Sequence, residues 1–182
     1  MAIIRDEAPA DVGAREALLD RSFGPARFAK TCERLREGRL AADGLSLVAE
    51  DAGGRIIGTL RFWHVALGEG RPGLMLGPLA VSAEIRNEGL GARLMKAGLA
   101  RAQTLGHDAV ILVGDEPYYR RFGFKTEATD GLAMPGPVER ERFLGLALKA
   151  DAFAGASGMV RATGAVALPL RRQGVAAPRR AA

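Results

Sequence analysis

The chain has 182 residues, enough for one domain with a substantial core. Its hydrophobic fraction of 48% supports folding, yet no apolar run reaches the ~18 residues that a membrane helix needs, so no membrane partner is expected. The net charge of +5 sits largely in the last twelve residues, which hold four arginines and no acid, and this points to a solvated tail rather than a nucleic-acid surface. One cysteine, Cys32, rules out an intrachain disulfide and fits a reducing cytoplasm. With His64 and His107 the only histidines, no metal site is expected. The N-terminus lacks a basic stretch followed by an apolar core, so no secretory signal is expected and the cytoplasm is the expected location.

No repeat or linker interrupts the chain before about residue 165. Residues 1–165 therefore read as one domain, with a basic, flexible tail over 166–182. Ala2 to Arg5 reads as a short strand. Pro9 and Asp11 open a helix to about Ser22, with Leu18 and Leu19 on its apolar side. Gly24-Pro25 breaks the chain, and a second helix is expected from Ala26 to Glu37. Ser46 to Glu50, the turn Asp51-Ala-Gly-Gly and Arg55 to Val65 read as a hairpin. Gly68 to Gly73 reads as a loop. Leu74 to Val81 is a nearly continuous apolar run and predicts a central, buried strand.

Gly89 to Gly106 predicts a helix. Leu90, Leu94, Ala97 and Leu105 lie on one face, widened by Met95, Leu99 and Ala102, with Arg93, Lys96 and Gln103 opposite. Ala109 to Val113 reads as a strand, Pro117 to Arg121 as one or two helical turns, and Glu141 to Leu148 as a late strand. This order describes a mixed α/β fold, mostly antiparallel, with one strand–helix–strand crossover.

Between the strand at Leu74 to Val81 and the helix from Gly89 lies Arg86-Asn87-Glu88-Gly89-Leu90-Gly91. Glycines let the backbone approach a ligand closely and bring several N–H groups to one point. The first N–H groups of a helix have no intrahelical partner, and the helix dipole adds partial positive charge. Together they suit a pyrophosphate, and Arg86 adds a charge-assisted donor. A P-loop would need Gly-Lys-Ser/Thr, which Gly91-Ala92-Arg93 does not supply. A dinucleotide fold would place an acid at the end of the next strand, and Ala109 to Val113 ends without one.

Arg86, Gly89 and Gly91 in this setting resemble the Arg/Gln-x-x-Gly-x-Gly/Ala signature of the GNAT superfamily of N-acetyltransferases. Tyr118-Tyr119-Arg-Arg-Phe-Gly123-Phe124 is similar to that family's second motif, correctly ordered one helix and one strand later. The resemblance implies a GNAT-like central sheet flanked by helices, and acetyl-CoA as cosubstrate with no metal. It implies acetyl transfer to a primary amine of a small molecule or protein, by direct transfer in a ternary complex. It places the pyrophosphate on the backbone from Arg86 through Asn87, Glu88, Gly89, Leu90 and Gly91 to Ala92. It places the pantetheine arm against Leu79, Ala80 and Val81. Pro78, behind Gly77, cannot donate to a ladder, so a strand-parting bulge is expected there.

The resemblance makes Tyr119 the proton donor to the leaving thiolate, with Tyr118 the neighbour that competes for the role. The strand at Leu74 to Val81 offers no acid or histidine as base, so His64 is the leading candidate, because histidine titrates near neutrality, with Glu50, Glu84, Asp115 and Glu116 behind it. Substrate pockets of this fold are built from the first two helices and the following loops, here Ser22 to Asp43 and Gly68 to Gly73. Arg27, Lys30, Arg34, Arg36 and Arg39 make the first of these basic. A CoA-binding sensor or scaffold without catalysis is the alternative reading, and a homodimer is among the assemblies open to the chain.

Overall fold

The computed structural model describes residues 2–86 and 88–167. Chain order is β1 (Ile3–Asp6), α1 (Val12–Phe23), β2 (Ser46–Glu50), β3 (Ile56–Leu67), β4 (Arg71–Val81), α2 (Leu90–Thr104), β5 (Ala109–Val113), α3 (Glu116–Tyr119), β6 (Leu132–Ala133), β7 (Phe143–Ala147), β8 (Gly158–Met159) and β9 (Arg161–Ala162). The main sheet runs β1-β2-β3-β4-β5-β7, with β9 also pairing β3. Within it only β4 and β5 are parallel. A separate parallel pair, β6-β8, closes one end.

Alternation decides which side each strand residue serves. Leu47, Ala49, Leu60, Phe62, Leu74, Leu76, Val110 and Leu112 pack in one core cluster with Leu90, Leu94, Met95 and Ala102 of α2. Their neighbours face the other way. Val48, Ile56 and Ala80 pack on Leu18 and Leu19 of α1, while Trp63, Val65, Met75 and Ile111 pack with Leu35. Each fully buried leucine or phenylalanine contributes roughly 1.5–3 kcal/mol. Leu105, expected on the α2 apolar face, follows the helix end and is 51% exposed.

The sheet parts where Gly77 and Pro78 stand. In the β3–β4 register Leu60 faces Leu79 and Phe62 faces Leu76, so Arg61 stands opposite two residues. Pro78 has no N–H to give, and Gly77 has φ 128, a region that favours glycine. β4 pairs with β5 only at Leu74↔Val110 and Met75↔Ile111, and the two strands run on unpaired. The freed carbonyl of Gly77 accepts a 2.6 Å hydrogen bond from the Trp63 indole N–H.

Two expectations are corrected. The helix over Ala26 to Glu37 is instead two 3-10 turns, Pro25–Ala29 and Thr31–Leu35, separated by Lys30 in an extended conformation. Their side chains bond outward, Arg27 to Glu16 and Asp20, Thr31 to the Pro137 carbonyl and Arg34 to the Pro135 carbonyl. Such tertiary bonds override helix propensity. The loop over Gly68 to Gly73 is only a tight turn, because β4 begins at Arg71. The Gly/Ala-rich end also pairs with the body, at Arg39↔Val166 and through β9. The arginines of the tail lie outside the described residues.

Helix α2 meets the sheet most closely at Gly98, where a Cβ would stand 2.8 Å from both Leu60 and Phe62. Gly98→Val is expected to lower stability by about 1–3 kcal/mol in urea denaturation, from overpacking. Gly13→Ala, at an α1 position with nothing within 4 Å of the added Cβ, is expected to raise it by roughly 0.5–1 kcal/mol.

Candidate active site

The parted strands open into a cavity of about 970 Å³. Leu76 to Leu79 of β4 form one wall, and Leu112 to Asp115 form the facing one. Arg86, Tyr118 and Tyr119 line one end, and α1 with the two 3-10 turns lines the other.

At the first end, Gly89 caps α2 in the left-handed conformation, φ 78 and ψ 3, with nothing within 4 Å of where a Cβ would be. The first N–H that closes back onto the helix start belongs to Arg93, which donates to the Gly89 carbonyl at 3.0 Å. The amides of Leu90, Gly91 and Ala92 precede it and have no intrahelical acceptor. Glu88 is exposed, and the Leu90 side chain is buried in the core, which leaves its backbone as the part that faces outward. Asn87 lies outside the described residues. Leu79 lines the cavity, Ala80 packs toward α1 and Val81 ends the strand.

Gly91 has a different neighbour. A Cβ there would lie 2.8 Å from the Tyr118 hydroxyl, so this tyrosine reaches the start of α2. Tyr119 lies against the end of β5, where a Cβ on Gly114 would stand 2.2 Å from its ring. Its ring meets Tyr118 edge-on at 4.9 Å and Phe124 at 6.0 Å. Gly123, φ 92, ends the turn.

His64 is not brought to the cavity. Arg61 and Trp63 face it, so by alternation Phe62 and His64 face the α2 side. His64 lies instead 5.5 Å from the His107 ring. The turn at Gly68 is likewise remote and packs on Ser157. Sequence reasoning missed Trp63, Arg61, Glu16 and Arg142 at the cavity. Two-residue spacing of Arg61 and Trp63 on one strand was the available signal for the first pair. Cys32 also lines the wall, and burial pushes its thiol up, away from the thiolate form.

Two of the cavity carboxylates are already engaged. Glu16 takes Arg15 at 2.6 Å and Arg27 at 2.5 Å, and Glu33 takes Arg36 at 3.0 Å. Burial pushes the Glu16 carboxyl up, but hydrogen bonds from Arg27 and Arg15 outweigh it and leave it below the ordinary range.

Burial pushes the Tyr119 phenol up to about 12, with Tyr118 adding to the shift and Arg142 opposing it. The hydroxyl therefore keeps its proton at neutral pH. The folded state holds that proton more tightly than the unfolded chain. Its contribution to stability is full below the ordinary tyrosine value near 10 and is lost as pH rises toward 12. An alkaline ultraviolet titration should show a tyrosine ionising near 12, and Tyr119→Phe should remove the matching loss of stability.

Residues 42–126 match the family described as acetyltransferase (GNAT) domain. The chain is 36% identical over 159 residues to the uncharacterized N-acetyltransferase YhbS of Escherichia coli K12, covering 87% of this chain and 94% of that one. It superposes on the crystal structure of Escherichia coli YhbS in complex with CoA with TM-score 0.76 and 37% identity, covering 89% of each chain. A GNAT family acetyltransferase from Brucella melitensis, solved with acetyl-CoA, matches with TM-score 0.59 and 31% identity over 84% of this chain and 98% of its own. With its split sheet, glycine turn and tyrosine turn in that order, and with relatives matched over nearly their whole length, the chain belongs to the GNAT family of N-acetyltransferases.

Proposed function

We propose that the protein moves an acetyl group from acetyl-CoA to a primary amine by direct transfer in one ternary complex. The observation that carries this is the β4–β5 parting, whose cavity is lined both by Arg86, just before the glycine turn, and by Tyr119. The residues present fit the cosubstrate. Gly89 leaves open space at the helix start, the amides of Leu90 to Ala92 have no intrahelical acceptor, and Arg86 lines the cavity. These groups would hold the pyrophosphate. Leu79 to Val81, unpaired toward β5, would receive the amide-bearing arm. When bound, the cosubstrate supplies a thioester carbonyl.

Positioning does most of the work, because two reactants held side by side react as one molecule. The amine nitrogen forms the new bond to the acetyl carbon as the carbon–sulfur bond breaks. Tyr119, still protonated, gives its proton to the departing sulfur. Glu16 and Glu33 are held by arginines, so the amine's proton passes to water or to Asp115, the remaining carboxylate of the lining. The pairing of those carboxylates is also what favours the second reading, a CoA-binding module without turnover. The lone Cys32 supports a cytoplasmic setting.

Acetyl-CoA is expected to raise the melting temperature, and Gly89→Glu to abolish that shift, by filling the open space with a negative side chain. Isothermal titration showing no CoA binding to the wild-type protein would sink the proposal. Tyr119→Phe should lower kcat about 10²-fold or more while leaving acetyl-CoA affinity near wild type. Acetyl-CoA binding without release of free CoA across a broad amine panel would select the non-catalytic reading.

A further inference from the structure

The lining of the cavity holds more cationic side chains than carboxylates. Six cationic side chains line the cavity against three carboxylates. Arg86 serves the glycine turn, which leaves five against three on the remaining walls. Arg36 is the most telling of these. Its side chain is only 10% exposed, and its Nε has no hydrogen-bond partner among the described residues. Its one ion pair, Nη2 to Glu33 at 3.0 Å, uses a single edge of the guanidinium. The other terminal nitrogen, Nη1, would stand 3.8 Å from a Cβ built on Gly77. A buried arginine with unfilled donors therefore lies beside the bulge where β4 leaves β5.

Arg61 stands on the same wall. It lies over the Trp63 ring at 5.1 Å, and its Nε is turned back toward Glu7 at 3.2 Å, so the rest of its fork faces the cavity. Burial is the first cost on its charge and the nearby Arg15 the second; Glu7 and Glu16 offset part of this, and Arg36 adds a smaller cost. Two crowded guanidiniums are relieved by an anion between or beside them. They lie on the α1 side of the sheet, while the start of α2 belongs to the opposite side, so the phosphates expected at α2 do not meet this need.

We infer that the acceptor is a small amine that also carries an anionic oxygen group, a carboxylate or a phosphate, which Arg36 and Arg61 hold beside the bulge. This rests on the acetyl-transfer reading above. A forked guanidinium takes both oxygens of such a group and so fixes the amine relative to the opening between β4 and β5. A neutral amine of the same length leaves the Arg36 donors unfilled.

The test uses matched pairs on the full-length protein saturated with CoA, at constant ionic strength: β-alanine against propylamine, and O-phosphoethanolamine against ethanolamine. Thermal melts give the affinity of each. At least one anionic member is expected to bind ~10-fold or more tightly than its neutral partner, the size of a charge-assisted hydrogen-bonded contact. The favoured pair identifies carboxylate or phosphate. R36Q should bring the ratio of that pair toward one while the CoA-induced shift persists, and R36K should keep part of it. If R36Q does not melt cooperatively, propionate and inorganic phosphate replace it as probes. One of them should then compete with the anionic amine on wild-type protein. Equal affinities within both pairs, or no competition by either anion, overturn the assignment while leaving acetyl transfer standing. Absence of any CoA-induced shift overturns acetyl transfer itself.

Discussion

A parallel strand pair holds together only where both backbones can offer donors and acceptors in step. β4 and β5 do so at two residue pairs and then stop. Gly77 and Pro78 impose the stop, one by taking a conformation with φ 128 and the other by lacking an N–H. The chemistry proposed for the molecule lies in the opening this creates. The α2 start, the Tyr119 turn and the two 3-10 turns are placed around it by ordinary packing. The opening needs internal support because a parted sheet exposes polar backbone. The bond from Trp63 to the Gly77 carbonyl supplies part of it.

The two ends of the cavity solve different electrostatic problems. At the α2 start the positive potential comes from backbone amides and the helix dipole, with Arg86 added. At the far end it comes from guanidiniums crowded by one another and only partly neutralised. Backbone groups suit a cosubstrate that never varies, since they change little with side-chain substitution. Side-chain cations suit a partner selected by its own charge.

Much of the sheet is legible in the residues. The run Leu74 to Val81, the hairpin around Asp51 and the strand Ala109 to Val113 are short, apolar and bounded by turn formers, and each forms where that pattern predicts. Pro78 marks the bulge because its missing N–H is a local fact. The glycine turn and tyrosine motif are legible for the same reason, since they are contiguous. The second helix is not, because Arg27, Thr31 and Arg34 are claimed by Glu16, Pro137 and Pro135, distant in sequence. His64 is read as a site residue by its chemistry, yet which face it takes depends on the strand's register against Trp63. The pair of Arg36 and Arg61 is likewise assembled from separate elements that only the fold brings together.

Trp63 is the only tryptophan in the chain, and its indole both lines the cavity and bonds to the carbonyl at the bulge. The emission of the protein therefore comes from the place where the strands separate. Any event that moves Gly77, fills the adjacent space or shifts the Arg61 guanidinium above the ring will alter the colour or brightness of that light. The fold carries a built-in optical reporter, tuned to the opening and blind to most of the remaining surface.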